Sequence, residues 1–375
     1  MILAHKIALR PNKKQREYFA RASGCDRFVW NLAVAEWERG HVAGEKPNGA
    51  KIRAEFNAQY RYAFPWMTEL HRDARSEAFR RIQKAYNAFF KNPKQTKKPV
   101  FHKKGRRESF YVANDVFTLY ADGKYVRLPR IGKIRMLEPL RFSGKIMGAV
   151  VSRQAQRWFI SIQVDVGELR KERQRHFVTG IDLGVTTAAT LSTGEKCEGP
   201  KPLMARLAQL RHQGRRVSRK VKGSKNRRKA VERLARTHAK VANIRKDWLH
   251  KLTTRLCREN RAVGIEDLNV RGMMGNRRLA RAISDIGFGE FRRQLEYKSK
   301  IYGAKLVVFD RFYPSSKKCS KCGHVKESLP LAERVFHCGR CGHESDRDWN
   351  AARNLVPGGI GELTLVDSTA CKAAG

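Results

Sequence analysis

The chain contains 375 residues, and its 79 lysines and arginines against 35 aspartates and glutamates give a formal net charge of +44. The length predicts two or three folded domains, and a hydrophobic content of 41% with 9% aromatic residues excludes a disordered basic tail. A folded polycation of this size repels itself unless a polyanion neutralises it, so nucleic acid is the predicted partner and a membrane surface the alternative.

The first ninety residues are predicted to form one strand followed by helices. Residues 1–9 alternate weakly, as in a strand, and a helical pattern runs through residues 11–22. A second helix is predicted at residues 26–37, and a third helix with one apolar face is predicted at about residues 74–90. A polar stretch of glycine, proline and asparagine at residues 44–49 lies between the second and third predicted helices.

A basic segment divides these helices from a run of short strands. Residues 91–107 contain eight lysines and arginines, two prolines and no acid, and beyond them the hydrophobic period changes to two. Strands are predicted at residues 109–112, 116–120, 125–128, 133–136, 145–153 and 158–166. Short strands at this density predict a small β-barrel or sandwich, and we interpret the basic segment as the return from a helical insertion into that barrel.

From Phe177 onward the pattern favours an α/β domain. Buried strands are predicted at residues 177–182, 187–192, 262–265 and 306–309, an amphipathic helix at 288–302 and a short helix at 348–355. The small residues and paired glycines of residues 357–375 predict a disordered tail.

Residues 201–250 are helical in propensity and carry 17 lysines and arginines against two acids, Glu232 and Asp247. The ordinary interpretation of such a charge run is a solvated helix face. Here the acids are too few to form intrahelical ion pairs with the cations, so we favour contact with nucleic acid.

Three acids stand at the ends of predicted elements: Asp182 and Glu266 each end a buried strand, and Asp348 opens the last helix. Acids at strand ends can meet at one edge of an α/β sheet, and carboxylates are preferred ligands of Mg²⁺, which supports phosphodiester cleavage. Taken singly, each acid could instead be a turn cap, an ion-pair partner or a helix N-terminal charge. Asp267 and Asp346 are rival candidates for Glu266 and Asp348.

Four of the eight cysteines form two Cys-x-x-Cys pairs with fifteen residues between them, namely Cys319, Cys322, Cys338 and Cys341. The sequence has no apolar run of about 20 residues and no signal-peptide pattern at residues 1–10, so we expect a cytoplasmic protein with reduced thiols. The spacing therefore predicts a closed, structural Cys₄ zinc site. His337 and His343 are alternative ligands, although the cysteines already complete the shell.

Several of these motifs together resemble the TnpB family, RNA-guided nucleases of small insertion-sequence transposons that are regarded as ancestral to the compact type V CRISPR effectors. The most specific stretches are residues 283–291, 295–298 and 314–317, which lead to the cysteines, and residues 346–352 around the last acid. The resemblance extends over nearly the whole chain, to about residue 356.

The resemblance implies a multidomain α/β protein. The expected parts are a wedge-like β-barrel, a helical recognition lobe inserted in it, a RuvC-like nuclease with an RNase H fold in two parts, and an inserted zinc module. The β-barrel corresponds to residues 1–10 with 92–172, and the recognition lobe to residues 11–91. The nuclease corresponds to residues 173–318 with 342–356, and the zinc module to residues 319–341.

The resemblance also implies an activity. Asp182, Glu266 and Asp348 would hold catalytic Mg²⁺, and the four cysteines would hold structural Zn²⁺. The implied partners are a noncoding guide RNA from the protein's own element and double-stranded target DNA, which is cut beside a short transposon-adjacent motif. A protein associated with the prokaryotic nucleoid is expected.

Two alternatives stay open from the sequence, a non-cleaving RNA-guided DNA-binding regulator and a recombinase that acts directly in transposition. Relatives that act as non-cleaving regulators have lost acids of the nuclease site, whereas all three acids are present here. A recombinase would need a nucleophilic side chain, and no tyrosine or serine stands in a distinctive sequence context for that role. The chain also departs from many relatives at residues 75–77, where Glu77 follows Ser76 in place of a glutamine, so the adjacent motif need not be the same.

Overall fold

The computed structural model describes residues 1–105, 108–168, 177–330 and 332–358. The chain divides into two compact units, with the boundary after Glu168. No helix in the described part of the chain is both long and apolar enough to cross a membrane. The predicted disordered tail lies outside the described residues from residue 359 onward.

Unit 1 begins with a strand and three helices, followed by six strands. The bounds are β1 Ile2–Arg10, α1 Lys13–Val42, α2 Gly49–Ala63, α3 Asp73–Lys91, β2 Ser109–Ala113, β3 Thr118–Leu119, β4 Tyr125–Leu128, β5 Gly132–Met136, β6 Lys145–Gln154 and β7 Arg157–Asp165. The seven strands form one antiparallel sheet in the order β2-β6-β7-β1-β5-β4-β3. All six strands predicted after the basic segment are therefore present, and closure of the sheet into a barrel stays a prediction.

The helices of unit 1 differ from the prediction in two places. Residues 11–22 and 26–37 were predicted as separate helices, but α1 is one continuous helix, which begins at a capping box formed by Asn12 and Gln15. Its Ser23 is buried, so the polar and small residues at the predicted break face the core instead of ending the helix.

The second difference is α2, a helix that the sequence analysis missed. Its buried residues Ile52, Phe56 and Tyr60 recur every four positions, a helical pattern obscured by the exposed polar residues between them. Asn48, at the end of the polar stretch, accepts a hydrogen bond from the N–H of Ala50 and so caps this helix.

The helices and the sheet of unit 1 share one hydrophobic core. The Phe19 ring of α1 lies 5.7 Å from the Phe110 ring of β2 and 5.0 Å from the Trp158 ring of β7, measured between centroids. The boundary predicted between a helical lobe and a barrel therefore does not separate two cores.

Unit 2 is an α/β unit with a two-stranded appendage. The bounds are β8 Val178–Asp182, β9 Ala189–Leu191, β10 Lys196–Cys197, α4 Pro202–Ala205, α5 Leu207–Ser218, α6 Lys225–Glu259, β11 Ala262–Glu266, α7 Val270–Met273, α8 Ala280–Ile286, α9 Phe288–Tyr302, β12 Lys305–Phe309, β13 Val335–His337, β14 Glu344–Asp346 and α10 Arg347–Asn354. Strands β13 and β14 pair only with each other, next to the cysteines.

The main sheet of unit 2 has five strands in the order β10-β9-β8-β11-β12. Strands β8, β11 and β12 run parallel to one another. Strand β9 is antiparallel to β8, and β10 is antiparallel to β9. On one face, Ile181 and Ile265 pack in the core beneath α6 and α9. Because side chains alternate along a strand, Gly180 and Gly264 point to the other face, which α10 covers.

The contact between α10 and the sheet requires these two glycines. A Cβ atom on Gly264 would overlap the carbonyl oxygen of Leu355, and a Cβ on Gly180 would overlap that of Ala352. Both neighbours are backbone atoms, which cannot rotate away as a flexible side chain could.

We expect Gly264→Ala to destabilise unit 2 by about 3 kcal/mol or more, because a close-packed backbone contact must open. Thermal melting of the purified protein measures this effect. The matched control is Gly289→Ala in α9, where nothing lies within 4 Å of an added Cβ, so the melting temperature should stay unchanged or rise slightly. Equal melting temperatures for the two variants would contradict the proposed packing constraint.

Candidate active site and metal centre

The parallel register of the main sheet places two of the predicted acids side by side. Gly180 pairs with Gly264 and Ile181 with Ile265, so Asp182 and Glu266 follow at the carboxyl ends of adjacent strands. This edge is where open α/β sheets bind their ligands.

The third acid approaches from helix α10. Asp348 lies in the first turn of α10, and α10 packs on β8 and β9. The pKa of Asp182 is raised to about 7, first by burial and then by the negative charges of Asp348 and Glu266, while Arg347 opposes the shift. Asp182 therefore lies within electrostatic range of both Asp348 and Glu266. Burial and the neighbouring Asp267 also raise the pKa of Glu266.

Of the two rival acids, Asp267 is engaged in ion pairs. Its carboxylate pairs with Arg292 and accepts a 2.9 Å hydrogen bond from Nη2 of Arg311. These pairs fix the loop after β11.

The other rival, Asp346, caps α10. Its Oδ1 accepts a 3.0 Å hydrogen bond from the N–H of Trp349, and its Oδ2 lies 2.8 Å from Nζ of Lys196. Burial alone would raise the pKa of Asp346, but the bonds from Lys196 and Trp349 outweigh burial and lower it. Asp346 also adds to the negative potential at Asp182.

The donor set of Asp182, Glu266 and Asp348 fits a divalent cation that prefers oxygen ligands. Among the described residues, the four thiols of the cysteine cluster form a group of converging ligand atoms, and these three carboxylates do not. The repulsion that raises the pKa of Asp182 is the interaction that a bound cation would relieve.

The four predicted cysteines do come together. Their sulfur atoms lie within 4.8 Å of one another, with 3.8 Å between Cys319 and Cys341 and 3.5 Å between Cys322 and Cys338. A tetrahedron of sulfurs about 2.3 Å from a central Zn²⁺ has edges of about 3.8 Å, so the cluster has the size of one tetrahedral metal site.

Two similar turns build this cluster. The N–H of Gly323 donates to the carbonyl of Cys319, and the N–H of Gly342 donates to that of Cys338. Both glycines have positive φ, 75° and 67°, which explains why glycine follows each pair. Backbone N–H groups of the second turn lower the pKa of Cys338 to about 6, which favours the thiolate that binds metal.

The two histidines named as alternative ligands lie outside the cluster. The His337 ring is exposed and lies 3.5 Å from Glu344, and the backbone carbonyl of His343 accepts a hydrogen bond from the N–H of Cys338. Neither belongs to the group of converging ligand atoms in the described residues.

Two asparagines of α10, which the sequence analysis did not single out, join this helix to the cysteine loop. Asn350 is fully buried, accepts from the N–H of Ser320 at 2.9 Å and donates to the carbonyl of Lys318 at 2.7 Å. Asn354 donates to the same carbonyl at 2.6 Å. The available signal was their spacing of four residues, which places both on one face of a helix.

Helices α5 and α6 form the basic hairpin predicted as a nucleic-acid surface. In α5 the one buried residue is Leu210, and α6 has no buried residue before Thr237. Among the described side chains, the first ion pairs along α6 involve Arg245 and Asp247, so the cations of residues 207–240 are not paired with acids.

A groove of about 450 Å³ lies between α5 and α6. Its lining has no acid and includes the cations Arg216, Lys220, Lys229 and Arg233. Cationic side chains around a groove of this kind favour a polyanion.

Three family models match the chain. A model described as "Probable transposase" (OrfB_IS605) matches residues 161–277, and one described as "Cas12f1-like, TNB domain" matches residues 288–355. A third, "Helix-turn-helix domain", matches residues 1–46, where the structure has strand β1 and the single helix α1.

Curated relatives match nearly the full length of the chain. A protein of Streptomyces pristinaespiralis, named as a candidate RNA-guided DNA endonuclease, is 39% identical over 368 residues, which are 95% of this chain and 89% of the relative. InsQ of Escherichia coli strain K12, with the same description, is 30% identical over 95% of this chain and 92% of its own length. The CRISPR-associated endodeoxyribonuclease Cas12f1 of Sulfoacidibacillus thermotolerans is 23% identical over 60% of this chain and 59% of its own length.

We expect Asp182→Asn to raise the melting temperature of the metal-free protein at pH 8 by a few degrees, because it removes a buried like charge. The folded-state pKa of Asp182 lies above the ordinary value of 3.8, so its destabilising effect grows as pH rises from about 4 to about 7. The gain should therefore shrink as pH falls toward 4.

The same melting assay tests the fit to a cation. Added Mg²⁺ should raise the melting temperature of the wild-type protein and leave that of Asp182→Asn nearly unchanged. The control is Asp247→Asn, which removes an exposed acid of α6 and should keep the wild-type response. An equal response of Asp182→Asn and wild type would contradict the site.

Proposed function

The chain belongs to the TnpB family, and we propose that it is a metal-dependent, RNA-guided DNA endonuclease whose catalytic acids are Asp182, Glu266 and Asp348. The observation that carries the proposal is the placement of Asp182 and Glu266 at the ends of adjacent parallel strands, with Asp348 on a helix packed against them and acting on Asp182. The full-length relatives that carry the description of RNA-guided DNA endonuclease support the same activity.

The roles of the residues follow from their positions. Asp182 and Glu266 are fixed by the strand register, and Asp348 is held by α10, so each presents a carboxylate for Mg²⁺ without a large rearrangement of backbone. When bound there, Mg²⁺ supplies an activated water for attack on the phosphodiester and stabilises the leaving oxygen.

The partners we propose are a guide RNA from the protein's own element and double-stranded target DNA. Pairing between guide and target then supplies sequence specificity, while the protein contacts backbone, shape and a short adjacent motif. The unpaired cations of the α5–α6 hairpin support a nucleic-acid partner of high charge.

For the remaining parts of the chain we propose the division that the resemblance implies. Residues 1–10 with 92–172 would form the wedge and residues 11–91 the recognition lobe. Residues 173–318 with 342–356 would form a RuvC-like nuclease, and residues 319–341 a structural zinc module.

Cleavage of a matched target tests the activity. The protein is purified with its RNA, the RNA is sequenced, and duplexes complementary to it are presented with Mg²⁺ and varied flanking sequence. We expect wild type to cleave and Asp182→Asn, Glu266→Gln and Asp348→Asn each to lose about 1,000-fold in rate, because each removes a charge that holds the metal.

Binding of the target by these variants should change little, since the guide provides the recognition. The control Asp247→Asn should cleave at the wild-type rate. Retained cleavage by Asp182→Asn would contradict the site, and binding without cleavage by the wild type would favour a non-cleaving regulator.

The cysteine cluster has its own test. Metal analysis of the purified protein should give about one zinc per chain, and Cys338→Ser should remove it, because the thiolate is replaced by a poor zinc ligand. Cys257→Ser, at a buried cysteine outside the cluster, is the control and should retain zinc. Full zinc content in Cys338→Ser would contradict a four-cysteine site.

A further inference from the structure

Phe312 is a large aromatic side chain that the fold of unit 2 leaves in solvent. It is 88% exposed, whereas Phe291 and Phe309 of the same unit are 1% and 7% exposed. Nothing in the packing of the unit requires a phenylalanine here.

The position of Phe312 connects it to the candidate active site. Strand β12 ends at Phe309, which pairs in register with Glu266. Phe312 follows three residues later, so its Cα lies at most about 11 Å from that of Phe309, and neighbouring strands are about 5 Å apart. The Cα of Phe312 therefore lies at the same edge of the sheet as Glu266 and within about 16 Å of its Cα, which is about five nucleotide steps of about 3.4 Å each.

The turn that carries Phe312 is held rigidly on both sides. The N–H of Phe312 donates to Oδ1 of Asp310 at 2.8 Å, and the N–H of Tyr313 donates to the carbonyl of Asp310 at 3.0 Å. Tyr313 packs against the Phe309 ring and donates to the carbonyl of Asn354 in α10 at 3.2 Å. The backbone is thus fixed while the Phe312 side chain faces outward.

Arg311, the residue before Phe312, adds a positive charge to the same turn. Its Nη2 donates to Asp267 at 2.9 Å, and its side chain is 46% exposed, which leaves guanidinium N–H groups available to a phosphate. An exposed aromatic face next to an anchored arginine is a combination that binds single-stranded nucleic acid, since every base has a π-face and every nucleotide a phosphate.

We propose that Phe312 stacks on a base of the DNA strand being cut, with Arg311 near its phosphate, and so positions that strand over Asp182, Glu266 and Asp348. This inference rests on the proposed nuclease function. Stacking suits a guided nuclease because it does not depend on base identity, and the strand presented to the acids has a different sequence for each guide.

Three substitutions at one position separate aromatic stacking from simple apolar contact. Phe312→Ala and Phe312→Leu should lower kcat/KM for cleavage by about 5- to 150-fold, which corresponds to the loss of one stacked base, about 1–3 kcal/mol. Phe312→Tyr keeps the ring and should stay within about threefold of wild type. Because the side chain is exposed, all three should keep the wild-type melting temperature and the wild-type amount of copurified RNA.

A spectroscopic measurement reports stacking without cleavage. In an Asp182→Asn background, 2-aminopurine is placed at successive positions of the target strand around the cleavage site. At one position its emission should be quenched, and adding Phe312→Ala or Phe312→Leu should restore the emission while Phe312→Tyr should not.

The outcomes distinguish the inference from the function on which it rests. Absence of cleavage by wild type under all conditions would overturn the proposed function. If wild type cleaves and Phe312→Ala cleaves at the same rate, the stacking inference alone is overturned. The same conclusion holds if Phe312→Leu cleaves as fast as wild type and leaves the 2-aminopurine emission quenched.

Discussion

Helix α10 lies directly on strand β8, and Leu355 just after it lies on β11, because Gly180 and Gly264 have no side chains, and the candidate site depends on this contact. The same helix carries Asp348 in its first turn. A side chain at either glycine would lift α10 from the sheet and move Asp348 away from Asp182. The like charges of these two acids already favour separation, so the packing of the helix must hold them together in the absence of a cation.

The cysteine cluster extends this constraint to a distant part of the chain. Asn350 and Asn354 bind backbone groups of Lys318 and Ser320, the residues on either side of Cys319. A metal ion held by the thiolates would fix that loop, and the loop in turn anchors α10. The metal can therefore stabilise the position of Asp348 without contacting substrate, which agrees with a closed four-cysteine shell.

Local patterns in the sequence were sufficient for the strands of unit 1 and for β8, β9, β11 and β12, but not for the very short strands β10, β13 and β14. The β8 and β11 strands were recognisable as apolar runs that end at acids, and the Cys-x-x-Cys spacing predicted the cysteine cluster. Features that depend on tertiary packing were not predictable in the same way. The break predicted near Ser23 is absent because that residue is buried in the core, and the roles of Gly180 and Gly264 appear only when α10 is placed on the sheet.

The assignment of the acids required the same kind of information. Glu266 is the last residue of β11 and Asp267 directly follows it, and the ion pairs of Asp267 with Arg292 and Arg311 show that it holds the loop after the strand. Asp346 is likewise separated from Asp348 by its role as the cap of α10. Sequence spacing alone left both pairs as rivals because partners from elsewhere in the chain decide between them.

Although the chain has a net charge of +44, its cations do not neutralise the three candidate acids. The acids and the basic hairpin therefore each require a counter-charge of their own. Asp182 has a raised pKa within a strongly basic chain because burial and adjacent carboxylates act at short range, whereas exposed charges are screened beyond about 8 Å at physiological ionic strength. The α5–α6 hairpin has the opposite problem, since the cations of residues 207–240 lack acidic partners among the described side chains and like charges one turn apart destabilise a helix. A polyanion that stabilises the hairpin cannot relieve the acids, and a divalent cation at the acids cannot stabilise the hairpin. The proposed guide RNA and Mg²⁺ would together satisfy both requirements.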